Sequence, residues 1–178
     1  ADSASAYGLG YVALRYFNVA GADPLGRTGQ SSAQATNLVK IAVRAALGLE
    51  PHLNIFGTDY PTHDGTGVRD YIHVCDLVEA HVAALEHLRG GGHNAVLNCG
   101  YGRGFSVRDV VKAVEAEART KLALRTMPRR PGDLAEVVAD ASRIRRELAW
   151  TPKYDDLAFI VRTALDWERH LNGLAGRT

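Results

Sequence analysis

Gly65-Thr66-Gly67-Val68-Arg69 carries the residue types of an anion seat. Glycines without a Cβ let a backbone turn tightly and approach a ligand. A guanidinium placed after them offers a planar, permanently charged fork that binds phosphate oxygens bidentately. A second group of charges stands in Pro128-Arg129-Arg130-Pro131-Gly132-Asp133, which by itself reads as a solvated turn. Asp59 and Asp64 have the types of an acid/base pair, but the turn around Pro61 accounts for both without chemistry. The seven histidines show no metal-ligand spacing, neither Cys75 nor Cys99 has a close cysteine partner, and no Gly-x-Ser-x-Gly elbow is present. Gly100-Tyr101-Gly102-Arg103-Gly104 sits between strand-like and helix-like segments, the setting of a dinucleotide fingerprint. Its spacing is wrong for one, and the next extended run ends in Met127-Pro128-Arg129-Arg130 with no acid for a ribose, so a structural turn is expected.

The elements that must position these groups alternate along the chain in an α/β pattern. Residues 1–6 read as the tail of a helix, and 11–17 as a strand buried on both faces, interrupted by Arg15 and ended by Asn18. Ligands of open parallel sheets bind beyond the carboxyl ends of strands, so Phe17 and Asn18 stand either at a ligand or as core and turn residues. Ser31 or Ser32 is expected to cap a helix running to about residue 47, with Asn37 a solvated position near its start and Gly48 its stop. Short strands follow at 53–56 and 71–74. Asp76 and Glu79 have capping-box spacing for a helix over 77–89 that buries Leu77, Ala80, His81, Ala84, Leu85 and Leu88. A strand at 95–98, a helix capped by Ser106 and Asp109, a strand at 122–126, a helix capped by Asp140, a corner at Trp150-Thr151-Pro152 and a last helix from Asp155 or Asp156 to 171 complete the order.

A length of 178 residues allows one domain, or one domain plus part of another. The net charge of +1 gives no general field for nucleic acid or an acidic membrane, so any phosphate recognition rests on placed side chains. No apolar run approaches the roughly 20 residues that cross a bilayer, and two isolated cysteines suit a reducing compartment. A soluble, cytoplasmic protein that binds neither nucleic acid nor membrane is expected.

The ungapped phrase Asp59-Tyr60-Pro61-Thr62-x-Asp64-Gly65-Thr66-Gly67-Val68-Arg69-Asp70-Tyr71-Ile72-His73-Val74 resembles the UDP-glucose 4-epimerase family of extended short-chain dehydrogenases/reductases. The likeness continues through Arg15-Tyr16-Phe17-Asn18-Val19-Ala20-Gly21 and through the 128–133 turn. It covers nearly the whole chain but corresponds to the C-terminal half of the family's chain, and with alanine as first residue the sequence reads as a cut or incomplete one. The resemblance implies the last strands and helices of a Rossmann-type parallel sheet in 1–20 and 70–120, plus a smaller α+β substrate-binding domain in 21–69 and 121–178. It implies NAD as cofactor, a UDP-sugar as substrate and a homodimer at full length. By the same resemblance Phe17 lies against the nicotinamide, Asn18 bonds the substrate, and Asn37 and Leu38 contact the nucleotide sugar, with Thr36 replacing the family's first Asn. The main chain of Asn54, Ile55 and Phe56 pairs with uracil. Arg69 and Arg130 hold the pyrophosphate, and Asp133 accepts from the ribose hydroxyls. Leu97 stands where one family pattern has a pocket-narrowing tyrosine, which either leaves room for N-acetylated hexoses or marks a plain core leucine.

The family's redox chemistry uses a Tyr-x-x-x-Lys pair on a helix, and none of the seven tyrosines has a lysine four residues on. Tyr11 and Arg15 have the spacing, but four residues along a strand are about 13 Å apart. The glycine-rich NAD loop is also missing. The expected chain is therefore the substrate-binding part of a UDP-glucose/UDP-galactose 4-epimerase, inactive alone, holding the UDP firmly and the hexose loosely. Other sugar-nucleotide enzymes (UDP-glucuronate or UDP-pentose epimerases, 4,6-dehydratases) and a non-catalytic nucleotide-sugar binder are the alternatives.

Overall fold

A computed structural model describes residues 2–32, 34 and 36–174. Helices and strands alternate in the order α1 (Asp2–Tyr7), β1 (Val12–Tyr16), β2 (Asn18–Ala20), α2 (Leu38–Ala46), β3 (Leu53–Phe56), β4 (Val68–His73), α3 (Val74–Arg89), β5 (Ala95–Cys99), β6 (Gly104–Ser106), α4 (Val107–Ala118), β7 (Leu124–Met127), β8 (Glu136–Val137), α5 (Ser142–Glu147) and α6 (Leu157–Leu171).

Parallel pairings dominate. β1 pairs with β5, placing Leu14 opposite Leu97, and β3 pairs with β7, placing Phe56 opposite Met127. Asn18 does not end a strand as expected: the chain changes neighbours at Phe17, and Asn18 opens β2 opposite Tyr71 of β4. β4 is also bordered by β6, antiparallel, and β8, parallel. Its residues Tyr71 and Ile72 are buried with Leu97, Val110, Val114, Ile144, Ile160 and Leu165 in one core, each large aliphatic chain worth roughly 1.5–3 kcal/mol on burial. β1 is not buried on both faces. Among the described residues it has a strand neighbour on one edge alone, and Tyr16 is 53% exposed.

Two helix starts differ from the sequence reading, both because a side chain upstream or downstream takes the cap. α2 begins at Leu38, since the Asn37 Oδ1 accepts from the main-chain N–H of Val39 (3.0 Å) and Lys40 (3.4 Å). Residues 33 and 35 of the earlier start lie outside the described residues. α3 begins at Val74, capped by His73, whose Nδ1 accepts from Cys75 N. Asp76 is no cap. It is fully buried and accepts from the Tyr101 hydroxyl (2.6 Å), Lys153 N (2.8 Å) and Tyr154 N (2.9 Å), pinning the corner after Trp150 onto α3. Leu85 and His81 face outward rather than into the core. The capping box at Ser106 and Asp109 and the Asp156 cap of α6 form as their spacing predicts. Asp140 accepts from Ser142 N at 3.0 Å, one residue ahead of the Ala141 cap position of α5.

Candidate functional site

The loop before β4 is built on Asp64. Its Oδ1 accepts from Thr66 N (2.9 Å) and Thr66 Oγ1 (2.7 Å), and its Oδ2 from Ser106 Oγ (2.5 Å). Burial pushes the Asp64 carboxyl up, but the bonds from Ser106 and Thr66 outweigh it and hold the group below the ordinary carboxylate range. Asp64 is thus an ionised strut and no partner for Asp59, which pairs with Arg129 at 2.8 Å. Gly65 is required by geometry: its φ is +80°, and a Cβ would lie 2.3 Å from the Thr58 carbonyl oxygen. Gly65→Ala is expected to destabilise the chain by about 2 kcal/mol or more, read as a lower urea midpoint with unchanged slope.

Arg69 follows on β4, half-buried, with Nη1 donating to Val68 O at 2.8 Å. Arg130 reaches the same region from the turn after β7 and lies 3.8 Å above the Phe56 ring. Its neighbour Arg129 is committed elsewhere, to Asp59 and the face of Tyr60. Asp133 stands in the same turn, where Gly132 takes a φ of +84° and Asp133 N donates to Arg130 O. These groups share one cleft of about 890 Å³ with Asn18, Asn37, Leu38, Asn54 and Phe56. Asn37 spends Oδ1 on the α2 cap and one Nδ2 hydrogen on Val19 O (2.7 Å), leaving one hydrogen for a ligand.

Three positions fall outside the cleft. Ile55 is 2% exposed and turned into the core by the alternation of β3, so only its main chain can face a ligand. Phe17 is half-buried at the crossover from β1 to β2 and does not line the cleft. Leu97 is buried opposite Leu14 and does not line this cleft. Conversely, the cleft wall includes Tyr60 and Tyr71, which the sequence reading took for turn and strand residues. Both lie inside the conspicuous 59–74 phrase; the register of β4 beside β2 brings Tyr71 to the cleft, and the fold of the loop between β3 and β4 brings Tyr60.

Gly100–Gly104 is a structural turn. Asp70, fully buried, accepts from Tyr101 N (3.1 Å), Gly102 N (2.9 Å) and Ala139 N (3.2 Å), so those amides are not available to a dinucleotide phosphate. The Gly100–Gly104 turn therefore forms no phosphate cradle. His63, Asp64 and Asp109 bring ligand atoms within 4.8 Å of one another, but Ser106 explains the approach by bonding both carboxylates. Burial pushes the Cys99 thiol up to about 12 and raises that of Cys75, so neither is a nucleophile at neutral pH.

Behind the site, His73 joins β4, α3 and α6. Its Nε2 lies 3.2 Å from Thr163 Oγ1, its ring packs on Tyr154 and Phe159, and Gly21 approaches so closely that a Cβ would come within 2.6 Å. Burial lowers the His73 pKa, against the raising fields of Asp76 and Asp23. The unfolded chain takes up this proton near pH 6.5 and the folded chain resists it. The stability is therefore present above pH 6.5 and is lost as pH falls below it, by up to about 1.4 kcal/mol per pH unit. Urea midpoints at pH 7.5 and 5.5 are expected to separate in the wild type and to converge in His73→Asn.

Parallel strand pairs flanked by helices, with a cleft beyond strand ends, define an α/β protein of the Rossmann type. The chain belongs to the NAD dependent epimerase/dehydratase family, whose pattern matches residues 1–100. A UDP-glucose 4-epimerase from Azospirillum brasilense is 56% identical over 176 residues, 99% of this chain and 51% of that protein. The crystal structure of UDP-glucose-4-epimerase from Stenotrophomonas maltophila with bound NAD and formylated UDP-arabinopyranose superposes with a TM-score of 0.90 at 41% identity, covering 97% of this chain and 52% of that one. That of the Brucella ovis UDP-glucose 4-epimerase in complex with NAD gives 0.88 at 44% identity, covering 92% and 50%. The chain spans about half the length of the curated relatives it matches. Among the described residues no helix is long and apolar enough to cross a membrane.

Proposed function

We propose that this chain is the nucleotide-holding part of an NAD-dependent UDP-glucose/UDP-galactose 4-epimerase, which inverts C4 of the hexose reversibly through a 4-keto intermediate. The observation that carries the reading is the convergence of Arg69 and Arg130, from separate segments, on one cleft with Asp133. In this reading the guanidinium groups hold the pyrophosphate and Asp133 the ribose hydroxyls. Asn54 to Phe56 hold the base, and Asn18, Asn37 and Leu38 border the sugar. Residues 1–20 and 70–120 belong to the cofactor domain and 21–69 and 121–178 to the substrate domain. Phe17, at the end of β1, faces the nicotinamide. The redox step with NAD falls to the part of the relatives' length that this chain does not span. The full-length protein is a cytoplasmic homodimer.

A UDP-pentose 4-epimerase is the second reading, favoured by the UDP-arabinose 4-epimerase 1 of Arabidopsis thaliana, 44% identical over 165 residues. Calorimetry tests the shared core of both: UDP binds, UMP binds more weakly, and loss of that difference refutes the pyrophosphate grip. The 178-residue chain, supplied with NAD, is expected not to turn over UDP-galactose, and turnover would overturn its assignment as a holding part. It is also expected to self-associate in sedimentation velocity. β1 has one free edge among the described residues, and α3 exposes Val78, Val82 and Leu85 along one stripe. A strictly monomeric boundary at high concentration would count against this.

A further inference from the structure

The loop after β2 is stapled to α6 at both ends, by two side chains one helical turn apart. Ala22 N donates to Thr163 Oγ1 at 3.2 Å, and Trp167 Nε1 donates to Gln30 O at 3.2 Å. Gly29 lies so close to the Trp167 indole that a Cβ there would come within 2.5 Å of the ring. The Gln30 carbonyl takes a second donor from α2, Lys40 Nζ at 2.7 Å, and Lys40 is held in turn by Glu168 of α6 at 2.5 Å. One main-chain oxygen thus ties the loop to both helices.

Gln30 is exposed and borders two spaces. One is the cleft, whose wall it shares with Gln34, Thr36 and Asn37; the other is a second cavity of about 380 Å³, lined by Val19, Val39, Val43, Ala164 and Trp167. A wall backed by close-packed side chains keeps its place by packing. With a cavity behind it, this wall has room to shift and stays where its hydrogen bonds hold it. Lys40 lines the cavity and not the cleft.

We infer that Lys40, with Glu168 behind it, is a positioning residue that latches the Gln30 wall and so fixes the sugar end of the cleft, without touching the ligand. The inference rests on the nucleotide-sugar reading of this cleft, in which Asn37 and Leu38 border the sugar. Latch and sugar wall share the first turn of α2, where Lys40 N donates to Asn37 Oδ1 at 3.4 Å. Arg69, Arg130 and Asp133 stand elsewhere, on β4 and in the turn after β7. Loss of the latch therefore acts on the hexose and spares the nucleotide.

Calorimetric titration with UDP and with UDP-glucose tests this, because the change in the ratio of the two affinities isolates the hexose. Lys40→Met/Glu168→Leu removes the latch without altering net charge, and Trp167→Phe removes the other donor to Gln30 O while leaving the ion pair intact. In the double variant UDP affinity is expected to stay within about twofold of the wild type, while the UDP-glucose:UDP ratio falls about two- to fivefold. Trp167→Phe lowers the ratio in the same direction, by less. Lys40→Arg still offers donors to Gln30 O and Glu168, has the cavity to receive its bulk, and keeps the wild-type ratio. An unchanged ratio in the double variant and in Trp167→Phe overturns the inference. So does a parallel loss of UDP and UDP-glucose affinity, the mark of a merely structural role. Should the double variant fail to fold, an unchanged ratio in Trp167→Phe is enough to overturn it. Absence of UDP binding in the wild type ends the nucleotide reading and this inference together. UDP binding that depends on Arg69, with a UDP-glucose:UDP ratio indifferent to Lys40 and Trp167, ends this inference alone.

Discussion

Arg69→Ala and Arg130→Ala are each expected to lower UDP affinity by a factor of about ten to about a hundred, the largest effects of any single change in the cleft. A hydrogen bond to a charged group is worth about 1.5–3 kcal/mol, and each 1.4 kcal/mol is tenfold in affinity. The two losses come from different structural positions. Arg69 is set by β4 and by its bond to Val68 O, so its removal deletes a guanidinium already aimed. Arg130 is exposed and stacked on Phe56, so its removal also uncovers that ring. Arg69→Lys keeps the charge and loses the fork, and is expected to fall between wild type and Arg69→Ala. Arg129→Ala is the control. Its guanidinium is taken by Asp59 and Tyr60, and UDP affinity is expected to change far less. Calorimetry in which Arg69→Ala and Arg130→Ala bind UDP like the wild type would remove the pyrophosphate assignment.

Glu168→Ala is expected to destabilise the chain by about 3–5 kcal/mol, a large part of a typical domain's stability, read from the urea midpoint. Glu168 is 1% exposed and bridges two cations of α2: Lys40 Nζ at 2.5 Å and Arg44 Nη1 at 3.0 Å. Lys40 is itself buried and also donates to Gln30 O at 2.7 Å. Removing the carboxylate leaves an ammonium in a dry place, and that desolvated charge is the main cost. The exposed pairs of the same molecule, such as Arg89 with Glu86, are expected to contribute less than about 1 kcal/mol. The double variant Lys40→Met/Glu168→Leu removes both charges and is expected to recover most of the loss, since Arg44 keeps Glu50 at 3.0 Å. Equal losses in the single and double variants would show that the packing of α2 on α6, and not the unpaired charge, sets the cost.

The amino-acid sequence by itself determined the α/β order, the Ser106 and Asp156 caps, the turn character of Gly100–Gly104 and the family. These depend on local periodicity, on caps that bond within a few residues, and on an ungapped phrase, all of which are visible along the chain. Tertiary structure alone decided the rest. Asp76 reads as a helix cap and Asp70 as a residue just before a strand, yet each gathers donors from segments far along the chain, and no local spacing encodes that. Asn37 reads as a solvated helix residue until the α2 start is seen to depend on it. Composition and local spacing do not separate Arg129 from Arg130, which only the family resemblance distinguishes, and in the fold it is Asp59, brought near by the turn after β3, that takes Arg129 and leaves Arg130 facing the cleft. Ile55 and Asn54 are neighbours on one strand, but the two-residue alternation buries one and turns the other to the cleft, a choice made by which face of β3 meets the core.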